Sequence, residues 1–293
     1  MPREALSLLN VRPDGRYVDA TLGSGGHAEL IAQKLDARGR LLTVDWDKEA
    51  WERSRARLES FGGRVVFRLA NFRDLPALLS ELSWPKVHGF LFDLGASSEQ
   101  ILDSKKGLSF QADEPLDMRI DSSASLSAQD LIQHWDIDRL TELFEHYGEP
   151  RGARRLAVTL KDEVNRTGHL SARQVSQWAA RIFPRRGRRH PATRIFLALR
   201  SAVNDEEGNL RAGLNTLKDH LALGGVGVFI SFHSLEDGIV KRSMRDLTQE
   251  QGDQFRLLTP KPLVPSREEI QRNPRSRSAK LRAVQRISEA WAL

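Results

Sequence analysis

The sequence predicts an α/β fold: a largely parallel sheet interrupted by an inserted all-helical domain. From Arg16 to Asp93, segments with strand character alternate with segments of helical periodicity, as they do in parallel sheets. The runs 89–92 and 226–230 are continuously apolar, which is typical of strands covered on both faces. Between Asp103 and Pro191 only helical periodicity is found, so the insert falls between these two apolar strands.

The elements of the sheet domain follow from this alternation. Its predicted strands are Arg16–Thr21, Arg40–Val44, Val65–Leu69, Val87–Asp93 and Val226–Ile230, with a final short pair at Phe255–Leu258 and Leu281–Ser288. Its predicted helices are Gly26–Leu35, Lys48–Phe61, Leu75–Leu82, Arg194–Asn204, Leu210–Leu223 and Leu235–Leu247. A charged, proline-rich stretch at 259–274 is predicted to be a linker.

The insert is predicted to contain four amphipathic helices, Leu126–Trp135, Ile137–His146, Arg154–Arg166 and Ala172–Phe183. Ser125 and Ser171 are candidate N-caps of the first and the last of them. We therefore expect a sheet domain formed by residues 1–104 and 191–293, and a helical domain formed by residues 105–190.

Composition narrows the functional classes. Lys and Arg number 45 against 39 Asp and Glu, which suits a polyanionic partner or simply a soluble surface. Cysteine is absent, which excludes disulfides, thiolate metal sites and cysteine nucleophiles, and the eight scattered histidines predict no catalytic zinc. The amino-terminal residues lack the features of a signal peptide, and the longest apolar stretch, 221–230, is too short for a membrane span. We expect a cytoplasmic protein without a membrane segment.

A glycine-rich turn follows the first predicted strand. Apolar residues of that strand lead into Asp19, and Gly23, Gly25 and Gly26 allow a tight turn and the close approach of a ligand. The spacing also fits a dinucleotide fingerprint, so a nicotinamide-linked oxidoreductase is one alternative. Asp19 favours a different ligand, because a carboxylate would repel a pyrophosphate but would suit the sulfonium and ammonium groups of S-adenosylmethionine.

Two further strand ends carry polar residues. Asp45 ends the second strand, where a carboxylate can accept hydrogen bonds from ribose hydroxyls; alternatively it is a turn residue or a helix N-cap beside Asp47. Asp93 ends the fourth strand, and Gln100 follows it in a segment of small residues. Both side chains can reach polar groups of a ligand in the crevice at the strand ends.

A histidine follows the late strand that ends at Ile230. His233 is a candidate polar site residue, and the alternative is a purely structural turn in which Ser234 caps the next helix with Asp237 as its partner.

Arginines cluster in two places that could bind a phosphate backbone, although such runs are also typical of solvated surfaces. The candidates are Arg185, Arg186, Arg188, Arg189 and Arg194 in the first cluster, and Arg275 and Arg277 in the second.

Seven motifs in order carry a specific resemblance: Gly23–His27, Asp45–Asp47, Asp93–Ser98, Pro115–Arg119, His190–Arg194, Ser231–Asp237 and Asn273–Ser278. Together they resemble the bacterial 16S rRNA cytosine-N4 methyltransferases, the MraW family. The resemblance implies a Rossmann-like class I methyltransferase sheet that binds S-adenosylmethionine, with the helical insert recognising the substrate. It implies methylation of the N4 amine of cytidine 1402 of 16S rRNA, with the 30S subunit as partner. A homodimer is expected only by analogy.

The resemblance also assigns residues. It implies cofactor contacts at Gly25, Gly26, His27, Asp45, Phe72, Asp93 and Gln100. Phe72 would lie beside the adenine, whereas its sequence position alone favours a core aromatic. The sequence departs from the family pattern at Trp46, Glu99, Gly238 and the stretch 149–152.

The catalytic group is a hypothesis drawn from the chemistry of amine methylation. Residues 93–96 read Asp-Leu-Gly-Ala, where familiar amino-methylating enzymes have an Asp/Asn-Pro-Pro-Tyr loop. The hydrogen-bond acceptor for the amine must therefore come from elsewhere in the chain. Asp117 is our candidate, with Ser97 or His233 assisting. The alternatives are a methyltransferase acting on another RNA or a small molecule, and a non-catalytic RNA-binding assembly factor.

Overall fold

A computed structural model describes residues 1–95, 106–110, 113–149, 151–184, 190–250 and 254–288. The chain divides into two compact units. The first consists of Met1–Gly95 and Glu207–Leu293, and the second of Ala96–Glu206. None of the helices among the described residues has both the length and the apolar character needed to cross a membrane.

The first unit contains a seven-stranded sheet with the strand order β3-β2-β1-β4-β5-β7-β6. Strands β1 to β5 are mutually parallel where they pair, and β7 runs antiparallel between β5 and β6. This topology confirms the predicted Rossmann-like α/β class. The strands are β1 Arg16–Asp19, β2 Arg40–Asp45, β3 Val65–Leu69, β4 Val87–Asp93, β5 Leu221–Ser231, β6 Phe255–Leu257 and β7 Lys280–Arg286.

Both faces of this sheet are covered. Along β1 and β4, Val18 and Phe90 belong to one apolar cluster, whereas Tyr17 and Leu91 belong to the other. Burial on alternate sides explains why these strands are continuous apolar runs in the sequence. The helices assigned to this unit are α1 Pro2–Leu9, α2 Gly26–Ala32, α3 Lys48–Leu58, α4 Leu75–Glu81, α10 Glu206–His220, α11 Ser234–Glu250 and α12 Arg267–Arg272.

Helices dominate the described part of the second unit, where they are α5 Ala128–His134, α6 Ile137–His146, α7 Ala153–Thr167, α8 Ala172–Ile182 and α9 Ala192–Asn204. The N-cap of α5 is Ser127, which forms a capping box with Asp130, so the prediction of Ser125 was wrong. Ser171 caps α8 as predicted, with Gln174 as its partner. Helix α9 packs on α5, α6 and α8, so this unit extends past the predicted insert at its carboxyl end.

Three local differences separate the observed elements from the predicted ones. Helix α10 ends at His220, and Leu221 pairs with Val87 of β4, so an apolar stretch predicted to be helical joins the sheet instead. Periodicity alone cannot distinguish a short buried strand from a helix end. Helix α1 was not predicted, and α12 lies inside the predicted linker, where Ser266 caps it.

The direction of β7 brings late residues to the edge of the sheet where the parallel strands end. Because β7 is antiparallel to β5, its first residue, Lys280, lies opposite Ser231, the last residue of β5. The 3₁₀ turn Pro274–Ser278, which precedes β7, is therefore at the same edge as the carboxyl ends of β1, β2 and β4.

Candidate active site at the carboxyl edge of the sheet

The glycine turn lies between β1 and α2. Gly23 and Gly25 have positive φ angles of 49° and 78°, where other residues would be strained. A Cβ at Gly25 would lie 3.4 Å from the Cβ of Ser54, so α3 packs closely against the turn. A Cβ at Gly26 would meet nothing within 4 Å, so this residue leaves open space beside the turn.

Asp45 connects the end of β2 to this turn. Its Oδ2 accepts the N–H of Gly23 at 2.8 Å, and its Oδ1 accepts the N–H of Asp47 at 2.9 Å. The N-cap of α3 is Asp47, whose side chain accepts the N–H groups of Glu49 and Ala50. Asp45 is thus not the N-cap: it is a buried carboxylate with both oxygens fixed by backbone groups, each retaining a lone pair for a further donor.

Asp19 is fully buried at the end of β1. Its Oδ1 accepts the N–H of Thr21 at 3.2 Å, whereas Oδ2 has no hydrogen-bond partner. Burial raises the pKa of this carboxyl well above its ordinary value, and repulsion from Asp93 and Asp45 raises it further. Burial thus favours the neutral form of Asp19, and ionising this carboxyl costs stability because no cation of the described residues pairs with it.

Asp93 and His27 form a pair beside Asp19. The Asp93 amide donates to the hydroxyl of Thr21 at 2.6 Å, which ties the end of β4 to the turn after β1. The Nδ1 of His27 lies 3.4 Å from Oδ2 of Asp93. Burial raises the pKa of Asp93 and lowers that of His27, so both groups are pushed towards their neutral forms. The buried Oδ1 of Asp93 and Nε2 of His27 have no hydrogen-bond partner.

Three unpartnered buried atoms thus meet at one edge of the sheet: Oδ2 of Asp19, Oδ1 of Asp93 and Nε2 of His27. Buried polar atoms in proteins are nearly always hydrogen-bonded, so such a group indicates a place for a ligand. Together with Asp45 it favours a ligand with positive charge and hydroxyl donors. S-adenosylmethionine meets both requirements, whereas the pyrophosphate of a nicotinamide dinucleotide would be repelled by the carboxylates.

Phe72 opens a 3₁₀ turn after β3 and is half-buried. Its ring meets Phe92 edge to face at 5.6 Å, and Phe92 stacks on Phe229 at 4.5 Å. A Cβ at Gly213 would come within 3.1 Å of the Phe72 ring, so the absence of a side chain there makes room for it. Phe72 therefore packs on the core with part of its ring exposed; its contact with adenine stays a prediction.

His233 forms a capping box at the start of α11. Its Nδ1 accepts the N–H of Glu236 at 3.4 Å, and the Glu236 carboxylate accepts the N–H groups of Phe232 and His233 at 2.9 and 3.4 Å. The alternative capping box of Ser234 with Asp237 was wrong, because Asp237 instead pairs with Lys280 and Arg282 of β7. The side chain of His233 is engaged in this turn, which leaves its catalytic role a prediction.

In the second unit, Asp117 is held by Arg119. The guanidinium donates from Nε at 2.7 Å and from Nη2 at 2.8 Å to the two carboxylate oxygens. Burial alone would raise the pKa of Asp117, but the hydrogen bonds from Arg119 outweigh it and hold the pKa below its ordinary value. Asp117 is consequently an ionised group that accepts hydrogen bonds and is a poor base.

The predicted arginines differ in their surroundings. Arg194 donates to the carbonyl of Gly148 at 2.7 Å and to Glu149 at 3.0 Å, so its charge is matched within the second unit. Arg275 and Arg277 are exposed at the carboxyl edge of the sheet. Six predicted site residues lie outside the described residues: Ser97, Gln100, Arg185, Arg186, Arg188 and Arg189.

Three residues in the site were not singled out from the sequence: Thr21, Ser54 and Arg57. The hydroxyl of Ser54 donates to the Gly23 carbonyl at 2.5 Å, and Arg57 donates to the Ser24 carbonyl at 3.1 Å. The available signal for Ser54 was a polar residue in the buried stripe of α3, between Ala50 and Leu58. Thr21 gave no comparable signal.

Comparison with known proteins shows which family this chain resembles. The family model described as the MraW methylase family matches residues 1–287. Ribosomal RNA small subunit methyltransferase H of Thermomicrobium roseum is 43% identical over 97% of this chain and 91% of that protein. The protein of the same name from Solibacter usitatus is 43% identical over 97% of this chain and 98% of that protein. Among solved structures, TrmN from Thermus thermophilus aligns at 12% identity with a TM-score of 0.46, covering 98% of this chain and 48% of that chain, a likeness too low to bear on function.

The uncompensated charge of Asp19 generates a prediction about stability without cofactor. Because the pKa of Asp19 is raised in the folded state, the contribution of Asp19 to the wild-type free energy of unfolding falls as the pH rises from about 3.9 through the folded-state pKa. Asp19→Asn keeps an oxygen that accepts the N–H of Thr21. Because an amide does not ionise, the variant does not lose stability in this way as the pH rises. The variant should match the wild type at about pH 4 and exceed it in urea unfolding at about pH 8.

The control is Asp74→Asn, which changes an exposed carboxylate of the same unit. Its stability relative to the wild type should be the same at both pH values. A wild type at least as stable as Asp19→Asn at the higher pH would contradict the interpretation of Asp19 as an unmatched buried charge.

Proposed function

We propose a specific reaction for this chain, which belongs to the MraW methylase family and is therefore a methyltransferase. It transfers the methyl group of S-adenosylmethionine to the exocyclic N4 of cytidine 1402 in 16S rRNA of the small ribosomal subunit, in the cytoplasm. The observation that carries the proposal is the presence, at the edge that also holds Asp45, of three buried polar atoms without hydrogen-bond partners. These atoms belong to Asp19, Asp93 and His27. The names of the relatives, rRNA small subunit methyltransferases, support the substrate.

The residues present fit the cofactor, which supplies an electrophilic methyl group on a sulfonium. Asp19 and Asp93 offer carboxyl groups whose ionised form the cationic groups of the cofactor would favour, and Asp45 offers lone pairs to its ribose hydroxyls. Phe72 has ring surface available for the adenine, and the open space beside Gly26 allows close approach of the backbone turn. Gln100, outside the described residues, completes the predicted set.

The amine of cytosine is a weak nucleophile because its lone pair is delocalised into the ring. The protein must hold it in line with the methyl group, and positioning alone can lower the barrier by several kcal/mol. Asp117 is suited to accept a hydrogen bond from the amine, since it is ionised and its geometry is fixed by Arg119. Charge that develops on the amine is then stabilised by a preorganised acceptor. The target base must leave its stack to reach any such site.

Mapping the transferred methyl group tests the proposed function. Small subunits that lack this modification are incubated with the full-length protein and S-adenosylmethionine, and the rRNA is analysed by mass spectrometry. We expect one new methyl group, on N4 of cytidine 1402. A methyl group at another nucleotide would show a different target, and tight rRNA binding without transfer would show an assembly factor.

Asp117→Asn tests the proposed acceptor. Under single-turnover conditions with both substrates saturating, the rate should fall by about a hundredfold, as expected for the loss of one preorganised hydrogen-bond partner. Affinity for S-adenosylmethionine should not change. Asp121→Asn, at an exposed carboxylate nearby, is the control and should keep the wild-type rate. A full rate in Asp117→Asn would remove Asp117 from the mechanism.

The exposed pair Arg275 and Arg277 is predicted to bind the rRNA backbone. In the variant Arg275→Gln/Arg277→Gln, the slope of log affinity against log salt should become shallower by about 0.7 for each phosphate that the protein no longer neutralises. Binding of S-adenosylmethionine should be unaffected. The control is Arg12→Gln/Arg38→Gln, two exposed arginines that precede β1 and β2 at the opposite edge of the sheet. Equal slopes for all three proteins would exclude this role for Arg275 and Arg277.

A further inference from the structure

Two side chains on α3 bind the carbonyl groups of the glycine turn. The hydroxyl of Ser54 donates to the carbonyl of Gly23 at 2.5 Å. One turn further along the helix, Nη1 of Arg57 donates to the carbonyl of Ser24 at 3.1 Å, and its Nε donates to Glu29 of α2 at 3.0 Å. The glycine turn is thus held by two side chains of the neighbouring helix α3.

Ser54 occupies a position where an apolar residue would be expected. Ala50, Ser54 and Leu58 form the buried stripe of α3, and Ser54 is only 1% exposed. Burying a hydroxyl is unfavourable unless it is hydrogen-bonded, and here the bond is made to Gly23. Packing alone therefore does not explain a serine at this position, whereas its hydrogen bond to Gly23 does.

The N–H and the carbonyl of Gly23 both form hydrogen bonds with side chains from β2 and the helix that follows it, α3. Asp45, at the end of β2, accepts its N–H at 2.8 Å, and Ser54 donates to its carbonyl. Asp47 caps α3 and so fixes the start of the helix relative to Asp45. Because Gly23 and Gly25 have no side chains of their own to pack, these outside contacts define the shape of the turn.

We propose that Ser54, supported by Arg57, is a positioning residue for the methyl donor: it holds the glycine turn in the shape that receives S-adenosylmethionine. This inference rests on the proposed function, which supplies the ligand. Ser54 does not touch the cofactor in this proposal. It acts through Gly23, and its small size also matters, because its Cβ lies only 3.4 Å from the position of a Cβ on Gly25.

Ser54→Ala in the full-length protein tests the proposal by titration calorimetry with S-adenosylmethionine. Loss of the single hydrogen bond should raise the Kd about five- to tenfold. In steady-state kinetics, KM for the cofactor should rise while kcat and KM for the rRNA substrate stay unchanged. Without cofactor, amide hydrogen exchange of residues 20–28 should be faster than in the wild type, and saturating cofactor should restore protection.

Two further variants separate positioning from general stability. Ser176→Ala removes a buried helical serine in the second unit and should leave cofactor affinity unchanged. Arg57→Met keeps the aliphatic stem of a half-exposed residue and removes its bond to the turn, so it should raise the Kd about two- to threefold without unfolding the protein.

The outcomes distinguish this inference from the proposed function. If the wild type does not bind S-adenosylmethionine, the proposed function fails and the inference fails with it. If the wild type binds but both Ser54→Ala and Arg57→Met bind equally well, only the inference is overturned. A reduced kcat with unchanged cofactor KM would also overturn it, because that result would place Ser54 in the chemical step.

Discussion

The burial of Asp19, Asp45 and Asp93 at one edge of the sheet is the constraint around which this site is organised. Each carboxyl is held by backbone amides or stands beside a histidine, and burial raises the pKa of all three. No lysine or arginine among the described residues neutralises Asp19 or Asp45 in an ion pair. A fold that keeps such groups in place without matching cations is preorganised for a ligand that brings its own positive charge.

The neighbouring carboxylates show that this imbalance is selective. Asp237, close to the same edge, is matched by Lys280 and Arg282; burial alone would raise its pKa, but these partners outweigh it and lower the pKa. Glu236 is used to cap α11 through His233. The structure therefore neutralises or employs the acids that hold its loops, whereas Asp19 has no matching cation and Asp93 has only His27, whose pKa burial lowers. This contrast within one edge distinguishes a binding site from general crowding of acidic residues.

The sequence predicted those parts of this site whose position depends only on neighbouring residues in the chain. Asp19, Asp45 and Asp93 each end an apolar run, so their place at the strand ends follows from the strands themselves. Ser54 could not be predicted, because its partner is a carbonyl 31 positions away and the contact depends on how α3 packs. The cap of α11 was predicted wrongly for a related reason. Both His233 with Glu236 and Ser234 with Asp237 could form a capping box, and Asp237 forms ion pairs with β7 instead. Leu221 belongs to β5 and not to the preceding helix because it pairs with β4, which is also a contact between distant parts of the chain.

The interior place of β7 has a consequence for how this chain is made. Among the described strands it is the last to be synthesised, yet it pairs with β5 on one side and β6 on the other. Until it emerges during translation, β5 presents an open row of backbone donors and acceptors, which is the kind of edge that invites pairing with other chains. A nascent chain that stalls before Lys280 would thus be exposed to aggregation, because the sheet is not complete until β7 has been made.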